Sequence, residues 1–324
     1  MNVLNVLRLL ADGEVHSGEE IGETLGVSRT AVWKQLQKLS SLGLQLSSVK
    51  GKGYQLPGGL ELLQREKILA GMNGAGQNLV GEMEIELSID STHNRAMDRV
   101  REGVGSGYIC LAEHQSAGRG RKGRAWVSPF GRNIYLSTVW EFNQGAAVLE
   151  GLSLAVGVAI ARVINRLTDE QAVQLKWPND VYWQGKKLAG ILLEMSGDVS
   201  SECQVIVGVG LNVSMPAAEA EAIDQQWVSL ETIVPNLSRN TLVAALLEEL
   251  LPLLNNYHLQ GFAAYKEEWE ELDFFRDKEV EIIVGPHTMV GQAGGVSDSG
   301  ALRLITTDGE QLIYGGEASA RVSG

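Results

Sequence analysis

Histidine and cysteine, the side chains most often used to hold metals, are scarce in this chain. Cys110 and Cys203 are its only two cysteines. They are too few for a disulfide framework and read as small buried hydrophobes. The five histidines are scattered without metal-ligand spacing, so no protein-held metal is expected. No apolar run reaches the ~20 residues that a bilayer crossing requires. The longest, Gly151 to Ile164, is interrupted by Ser153 and Gly157 and reads as part of a buried helix. The opening MNVLNVLRLLADGE has neither a basic lead nor a small-residue cleavage site. No export signal and no membrane association are therefore expected, and a cytoplasmic location is. Acidic residues are missing from Thr24 to Pro57, although the whole chain carries a net charge of −13.

That last absence is informative, because the same segment holds Arg29, Lys34, Lys38, Lys50 and Lys52. A local basic face on an acidic protein is the electrostatic footprint of nucleic-acid binding. Ser17-Gly-Glu-Glu20 has the spacing of a capping box. It predicts a helix to Leu25, a turn at Gly26-Val27 and a second helix capped by Ser28. On that second helix Val32, Leu36 and Leu39 share one face and point inward. Ser28, Arg29, Thr30, Trp33, Lys34, Gln37 and Lys38 fall on the other, as residue types that reach phosphates and base edges. Gln45–Val49, a KGKG turn and Tyr54–Leu56 complete a two-stranded wing with Lys50 and Lys52 at its tip. A small helical bundle with a solvated charged face is the bland alternative. Pro57-Gly58-Gly59 reads as a linker to something much larger.

Residues 116–126 read SAGRGRKGRAW and contain the letters G-x-G-x-x-G. A dinucleotide-binding turn would need a helix next. Here Pro129 and Gly131 follow, and then the β-branched and aromatic run Ile134–Trp140. A Walker A loop is excluded as well, because Arg124-Ala125 stands where Lys-Ser/Thr is required. What remains is a glycine-rich loop between the strands Tyr108–Glu113 and Ile134–Trp140, carrying Arg119, Arg121, Lys122 and Arg124. Glycine allows close backbone approach and arginine pairs with phosphate through a planar fork. The loop suits a nucleotide α-phosphate under attack by a carboxylate, where positive charge must meet two anions. A solvated basic loop, or a second DNA contact, remains open on these residues alone.

Five further stretches appear in a fixed order: Ile89-Asp90-Ser91-Thr92, Gln115 ahead of the basic loop, Lys176-Trp177-Pro178-Asn179-Asp180, Lys187-Leu188-Ala189-Gly190-Ile191-Leu192 and Val207-Gly208-Val209-Gly210-Leu211-Asn212. Together they resemble the biotin–protein ligases. With the predicted winged helix in front, the whole chain resembles the bifunctional members that are also biotin operon repressors. The resemblance implies activation of biotin by Mg²⁺·ATP to biotinyl-5′-AMP, followed by transfer to a lysine of a biotin carboxyl carrier protein, a subunit of acetyl-CoA carboxylase. It also implies a homodimer that binds the biotin operator when the adenylate is present.

Residue by residue, the resemblance places Ser91, Thr92 and Gln115 at the ureido ring. Arg119, Gly120 and Arg121 belong to the loop over biotin and adenylate, and Arg124 faces the ATP phosphates. Lys187 lies at the carboxylate and α-phosphate, with Arg121 and Asp180 sharing the catalytic work, Asp180 by orienting Lys187 or the incoming lysine. Asn179, Asn212, Trp227 and Arg321 fall on the nucleotide side, with Trp227 closing over adenine. Trp177 reads as packing and Lys122 as a solvated lysine. The family pattern is Asp-Ser-Thr-Asn, whereas this chain has Asp90-Ser91-Thr92-His93-Asn94. His93 then replaces the asparagine amide, or Asn94 reaches in its stead, or the position is structural. Other readings are a ligase whose head does not repress, a biotin-sensing regulator without catalysis, and a lipoate ligase.

The expected fold is α+β and multidomain: a winged helix-turn-helix over 1–60, a catalytic domain over 61–272 and an SH3-like barrel over 273–324. The resemblance relates the central mixed sheet to class II aminoacyl-tRNA synthetases. Within it, Leu152–Leu167 reads as a core helix, Val181–Trp183 and Leu188–Met195 as a hairpin, and Gln204–Val213 as a buried strand. Ser238 caps a helix through Asn256, and Ala263–Leu272 reads as another. Val280–Val284, Thr288–Gly291, Leu302–Thr306 and Gln311–Tyr314 are the strands of the barrel.

Overall fold

The computed structural model describes residues 3–143, 145, 149–168, 172–197 and 202–320. At the N-terminus α1 (Val3–Leu10), α2 (Gly18–Leu25) and α3 (Arg29–Ser41) pack together, followed by the wing strands β1 (Ser47–Val49) and β2 (Gly53–Gln55). The capping box forms as expected. Ser17 Oγ accepts from the Glu20 amide at 3.0 Å, and Glu20 Oε2 accepts from the Ser17 amide at 3.3 Å. Val32, Leu36 and Leu39 are buried, and the seven residues expected on the opposite face, Trp33 among them, are exposed, as are Lys50 and Lys52. The wing is shorter than its sequence suggests and gains a partner, because His16 and Tyr54 exchange backbone hydrogen bonds at 2.9 and 2.8 Å.

The expected linker is a tight turn. Gly58 and Gly59 both take positive φ, and Leu60 N bonds back to Ala11 O at 2.9 Å. Leu60 and Leu62 then pack into the core of the head, together with Phe130 from the segment after the basic loop. The next residues are tied to the larger body. Glu113 Oε1 accepts from Leu63 N at 2.6 Å, and Glu113 Oε2 accepts from Arg239 Nη2 at 2.6 Å. Glu61 accepts from Ser238 Oγ and from the Arg239 and Asn240 groups at the start of a long helix. Breaking a buried pair such as Glu113–Arg239 leaves an uncompensated charge, which typically costs about 3–5 kcal/mol.

The central body begins with two short helices, α4 (Arg65–Ala70) and α5 (Gly74–Gln77). It continues through β3 (Met83–Glu86), α6 (Thr92–Arg101), β4 (Tyr108–Ala112), β5 (Ile134–Phe142), α7 (Leu152–Leu167), β6 (Val173–Lys176), β7 (Asp180–Trp183), β8 (Lys186–Gly197) and β9 (Cys203–Leu211). The seven strands form one mixed sheet in the order β3-β4-β5-β9-β8-β7-β6, with only β3 and β4 parallel. Alternation of side chains divides its faces. Ile109, Leu111, Val205, Val207 and Val209 meet α7 and α9 (Arg239–Gln260) in the main core, after the short α8 (Ala217–Ala220). Tyr108, Cys110, Val139 and Ile206 point the other way and are covered by Ala96 and Val100 of α6. The second face beyond α6 is where the cavity lies.

Ser238 caps α9 as expected, its hydroxyl accepting from Thr241 N at 3.2 Å, and the helix runs past Asn256 to Gln260. The helix expected over Ala263–Leu272 is instead a 3₁₀ turn at Phe262–Ala264 and the short α10 (Lys266–Glu271), with Tyr265 between them. Strands β10 (Glu279–Val284), β11 (His287–Val296), β12 (Leu302–Thr306), β13 (Gly309–Ile313) and β14 (Glu317–Ala320) form an antiparallel sheet in the order β13-β12-β11-β10-β14. Its inward residues Val280, Ile282, Leu302 and Leu304 join the main core, so this small β unit is not a loosely tethered appendage. No helix among the described residues is long and apolar enough to cross a membrane.

Asp273 sits at the entry to this unit, 7 % exposed, with Oδ1 accepting from Phe275 N at 2.8 Å and Oδ2 without a partner. Burial pushes its carboxyl up to about 6 from 3.8. The folded chain therefore holds this proton more tightly than the unfolded one, and stability falls as pH rises from about 4 to about 6. Asp273→Asn keeps the acceptor without the charge. Its melting temperature should exceed that of the parent by a few degrees at pH 8, for a gain of about 1–3 kcal/mol. The gap should narrow as pH falls and close only below about pH 4, where the carboxyl is protonated in both states; an equal gap at pH 8 and below pH 4 would refute the assignment.

Candidate functional site

A cavity of about 570 Å³ opens over the second face of the sheet, lined by α6, the basic loop, β5, β7, β8, β9 and the first residues of β14. Its floor is bare backbone. Gly190 on β8 pairs with Gly210 on β9, and Leu192 with Gly208, all on the cavity side. A Cβ at Gly210 would come within 2.5 Å of the Trp126 ring, and one at Gly208 within 2.8 Å of His93 Nδ1. The glycines of VGVGL thus let two ring systems rest directly on the sheet.

At one end α6 presents its N-terminus. Ser91 is the N-cap, its hydroxyl accepting from His93 N at 3.2 Å. Gln115 Oε1 accepts from Thr92 N at 2.8 Å, and its Nε2 donates to Ser128 Oγ at 3.1 Å. Thr92 Oγ1 lies 2.9 Å from Ser137 Oγ on β5. The structure therefore brings Ser91, Thr92 and Gln115 together as one buried polar cradle. Asn94 is turned away, donating to Asp90 at 2.7 Å. His93 is 3 % exposed, and burial pushes its imidazole down to about 4, so the ring is neutral at neutral pH. Both ring nitrogens are covered, with Nε2 3.3 Å from Glu194 Oε2. The His93 ring forms part of the cavity wall, whereas Asn94 is not among the lining residues.

The basic loop is a small hairpin rooted in the sheet. Trp126 N bonds to Gly118 O at 2.8 Å and Gly120 N to Arg124 O at 2.7 Å, with a 3₁₀ turn at Arg121–Gly123. Arg119 meets Glu194 at 3.2 Å. Arg121 donates to Asn179 Oδ1 at 3.0 Å and to the Gly316 carbonyl at 3.4 Å. Arg124 donates to Glu317 Oε1 at 2.6 Å. Lys122, expected to be free in solvent, has positive φ and lies 3.5 Å from the same Glu317 oxygen. Two acids from outside the loop therefore hold it in place, Glu194 on β8 and Glu317 on β14.

At the far end Lys187 Nζ lies 3.0 Å from Asp180 Oδ1, and 5.5 Å from the Trp126 ring centroid. Asn179 is fixed by donating to Ile191 O at 2.8 Å. Lys176 stands directly across the β6–β7 pair from Asp180 and donates to Tyr182 OH at 3.2 Å. Burial pushes the Lys176 ammonium below its usual range, with Asp180 opposing that shift. Burial likewise lowers the pKa of Arg121, against the pull of Asp180 and Glu317. Beside Lys187 a second hollow of about 70 Å³ is lined by Trp126, Asn212, Ile223 and Trp227. Asn212 donates to Val228 O at 3.3 Å, and Trp227 pairs as a bridge with Lys187. Arg321 lies outside the described residues. Among those described, no group of three or more His, Cys, Asp or Glu is placed to hold a metal.

Sequence reasoning assigned nothing to Trp126, Glu194 or Glu317. Only Trp126 carried a local signal: it ends the basic stretch and faces glycines that alternate along a strand. The cavity as a whole has a cradle of neutral polar groups at one end, cations at the other, and a smaller aromatic-walled hollow alongside.

The pattern of the biotin/lipoate A/B protein ligase family matches residues 87–212, and that of an HTH domain matches residues 2–55. The chain is 43 % identical over 319 residues to the bifunctional ligase/repressor BirA of Escherichia coli, covering 98 % of this chain and 97 % of that one. The biotin--[acetyl-CoA-carboxylase] ligase of Paracoccus denitrificans is 31 % identical, over 70 % of this chain and 96 % of its own. Among solved structures, the biotin protein ligase from Aquifex aeolicus in complex with biotin and ATP superposes with a TM-score of 0.62. It is 29 % identical, over 75 % of this chain and 99 % of that chain.

The glycine floor yields a direct test. Gly210→Ala places a methyl against the Trp126 ring, which is the far end of a side chain and can swing away. The fold should survive, with a melting temperature within a few degrees of the parent, while biotin affinity by titration calorimetry falls about tenfold. Unchanged affinity would mean that Trp126 and its seat are not part of the binding surface.

Proposed function

The chain belongs to the biotin–protein ligase family, among its members that carry a repressor head, and from that premise we propose how its site works. The enzyme activates biotin with MgATP and transfers it to a lysine of a biotin carboxyl carrier protein. The biotin carboxylate attacks the α-phosphorus, pyrophosphate leaves, and biotinyl-5′-AMP forms. The acceptor amine then attacks the carbonyl of the mixed anhydride, giving an amide and AMP and releasing a proton.

The observation that carries this reading is the ordering of groups along the floor. Ser91, Thr92 and Gln115 form a polar cradle suited to a ureido ring, which has both N–H donors and a carbonyl acceptor. Lys187 and Arg121 stand at the opposite end, where a carboxylate and an α-phosphate must be held together against their repulsion. Asp180 keeps the Lys187 ammonium in place and is a carboxylate suited to take the proton that the acceptor amine loses. Arg124 is exposed and suited to the outer phosphates. The hollow lined by Trp126, Trp227 and Asn212 offers aromatic faces and an amide edge suited to adenine. Mg²⁺ enters as part of the nucleotide substrate, with Asp180 as an available oxygen donor. Holding both reactants in line contributes about 7–11 kcal/mol to lowering the barrier.

The head supplies the second activity. Arg29, Thr30, Trp33, Lys34, Gln37 and Lys38 form one exposed face of α3 beside the lysine-tipped wing, suited to a major groove and its flanking phosphates. We infer a two-fold dimer, formed when the adenylate is bound, that presents two such helices to the biotin operator. A cytoplasmic site of action follows from the two substrates and the DNA target.

Pyrophosphate exchange into ATP tests the enzyme. Exchange should require biotin, be absent with lipoate or no acid, and drop about 10²–10³-fold in Lys187→Ala. No biotin-dependent exchange in the parent protein would sink the ligase reading. For the head, Lys34→Ala should reduce the slope of log affinity for duplex DNA against log salt by about one. An unchanged slope would remove α3 from the DNA interface.

A further inference from the structure

Glu194 has no place in the reaction as described, yet one of its oxygens serves two residues that do line the cavity. Oε2 is 3.2 Å from Arg119 Nη2 and 3.3 Å from His93 Nε2. The carboxylate lies on β8 seven residues beyond Lys187, a separation of about 23 Å along an extended strand. It therefore belongs to the cradle end of the cavity and not to the end where Lys187 and Asp180 meet. Glu194 is 33 % exposed, so a carboxylate there would be free to swing into solvent unless something held it. His93 is the group it rests against: the ring is buried on the bare backbone of Gly208, and its Nε2 lies 3.3 Å from Oε2, a close approach short of a hydrogen bond. Arg119, in turn, follows a root that cannot shift. A Cβ at Gly118 would fall within 3.0 Å of Gln115 Nε2, Ser128 Oγ and Trp126 O.

We propose that Glu194 is a positioning residue for Arg119. Braced by His93, it holds the first arginine of the basic loop across the biotin end of the cavity, where the guanidinium closes the binding site over the bound ring. The proposal rests on the biotin reading and goes beyond it. It gives the histidine that departs from the family pattern a definite task, which is to support an acid rather than to touch the substrate. An ion pair a third exposed biases its partner only a few-fold, so the effect belongs in biotin binding and not in the chemical step.

The test is a double-mutant cycle in pyrophosphate exchange, with biotin varied at saturating MgATP. Glu194→Ala should raise the KM for biotin about 3–10-fold and leave kcat within about twofold. Glu194→Gln, which keeps an acceptor oxygen, should recover most of that loss. In an Arg119→Ala background, adding Glu194→Ala should change the KM by less than about twofold, because the residue it acts through is already gone. Trypsin cleavage after Arg119 should accelerate in Glu194→Ala and not in Glu194→Gln, a readout independent of turnover. An unchanged KM in Glu194→Ala would overturn the proposal. So would effects of the two alanine variants that multiply, or a failure of glutamine to rescue. Absence of biotin-dependent exchange in the parent protein would instead reject the ligase reading, and this inference with it.

Discussion

Like charges repel, and five cations line one cavity here, Arg119, Arg121, Arg124, Lys176 and Lys187, with Lys122 close by on the same loop. The reaction demands such a concentration, since a carboxylate must approach a phosphate, but without anions to bind the cluster would drive itself apart. The fold answers by giving each cation a partner: Arg119 has Glu194, Lys187 has Asp180, Arg124 and Lys122 share Glu317, and Arg121 leans on Asn179 and a carbonyl of the C-terminal sheet. Lys176 rests on Tyr182. These partners come from β7, β8 and β14, so the positive charge is held in register by the whole catalytic body. Such preorganisation spares the site from reorganising when charge develops in the transition state.

A second set of contacts explains why the head is not a bead on a string. Glu61, Glu113, Arg239 and Asn240 form a largely buried network where the turn after the wing meets the start of α9. Leu62 on one side and Phe130 on the other carry this junction into the hydrophobic core of the head. Phe130 follows Ser128 by two residues, and Ser128 accepts from Gln115 in the polar cradle at the start of α6. The covalent path from cradle to head is thus short, rigid and packed at both ends, the sort of arrangement through which occupancy at one site biases the orientation of the other.

Much of this was legible in the sequence, for reasons that differ by region. The head followed from local rules: Ser17 and Glu20 satisfy each other's amides within one turn, and Val32, Leu36 and Leu39 repeat at helical spacing. The basic loop was legible as a backbone free to approach a ligand closely, with four cations and three glycines in seven residues; its ligand was open on those residues and came only from the resemblance. Failures came where the deciding contact is distant in sequence. Glu317 is 193 residues from Arg124, and Glu194 is 75 from Arg119; no periodicity links them. The region Ala263–Leu272 read as one helix because its composition suits one, but Phe262, Tyr265 and Trp269 are each anchored in the core, and tertiary packing broke the helix into two pieces. Strand β14 went unread because it is only four residues long and is stabilised through pairing with β10.

The bare floor of the cavity has a consequence for how such a protein can change over generations. A binding pocket lined by side chains offers many small steps toward a new ligand, one substitution at a time. Here Gly190, Gly208 and Gly210 have no side chain to trade, and a Cβ at any of them presses on Trp126 or His93, which must give way to make room. The basic hairpin above offers little more freedom, since Arg119, Arg121 and Arg124 are each tied to a partner elsewhere in the fold. Selection is left with few viable neighbours in sequence space, so ligand preference should drift slowly even while the exposed face of α3, free of such crowding, remains open to new operators.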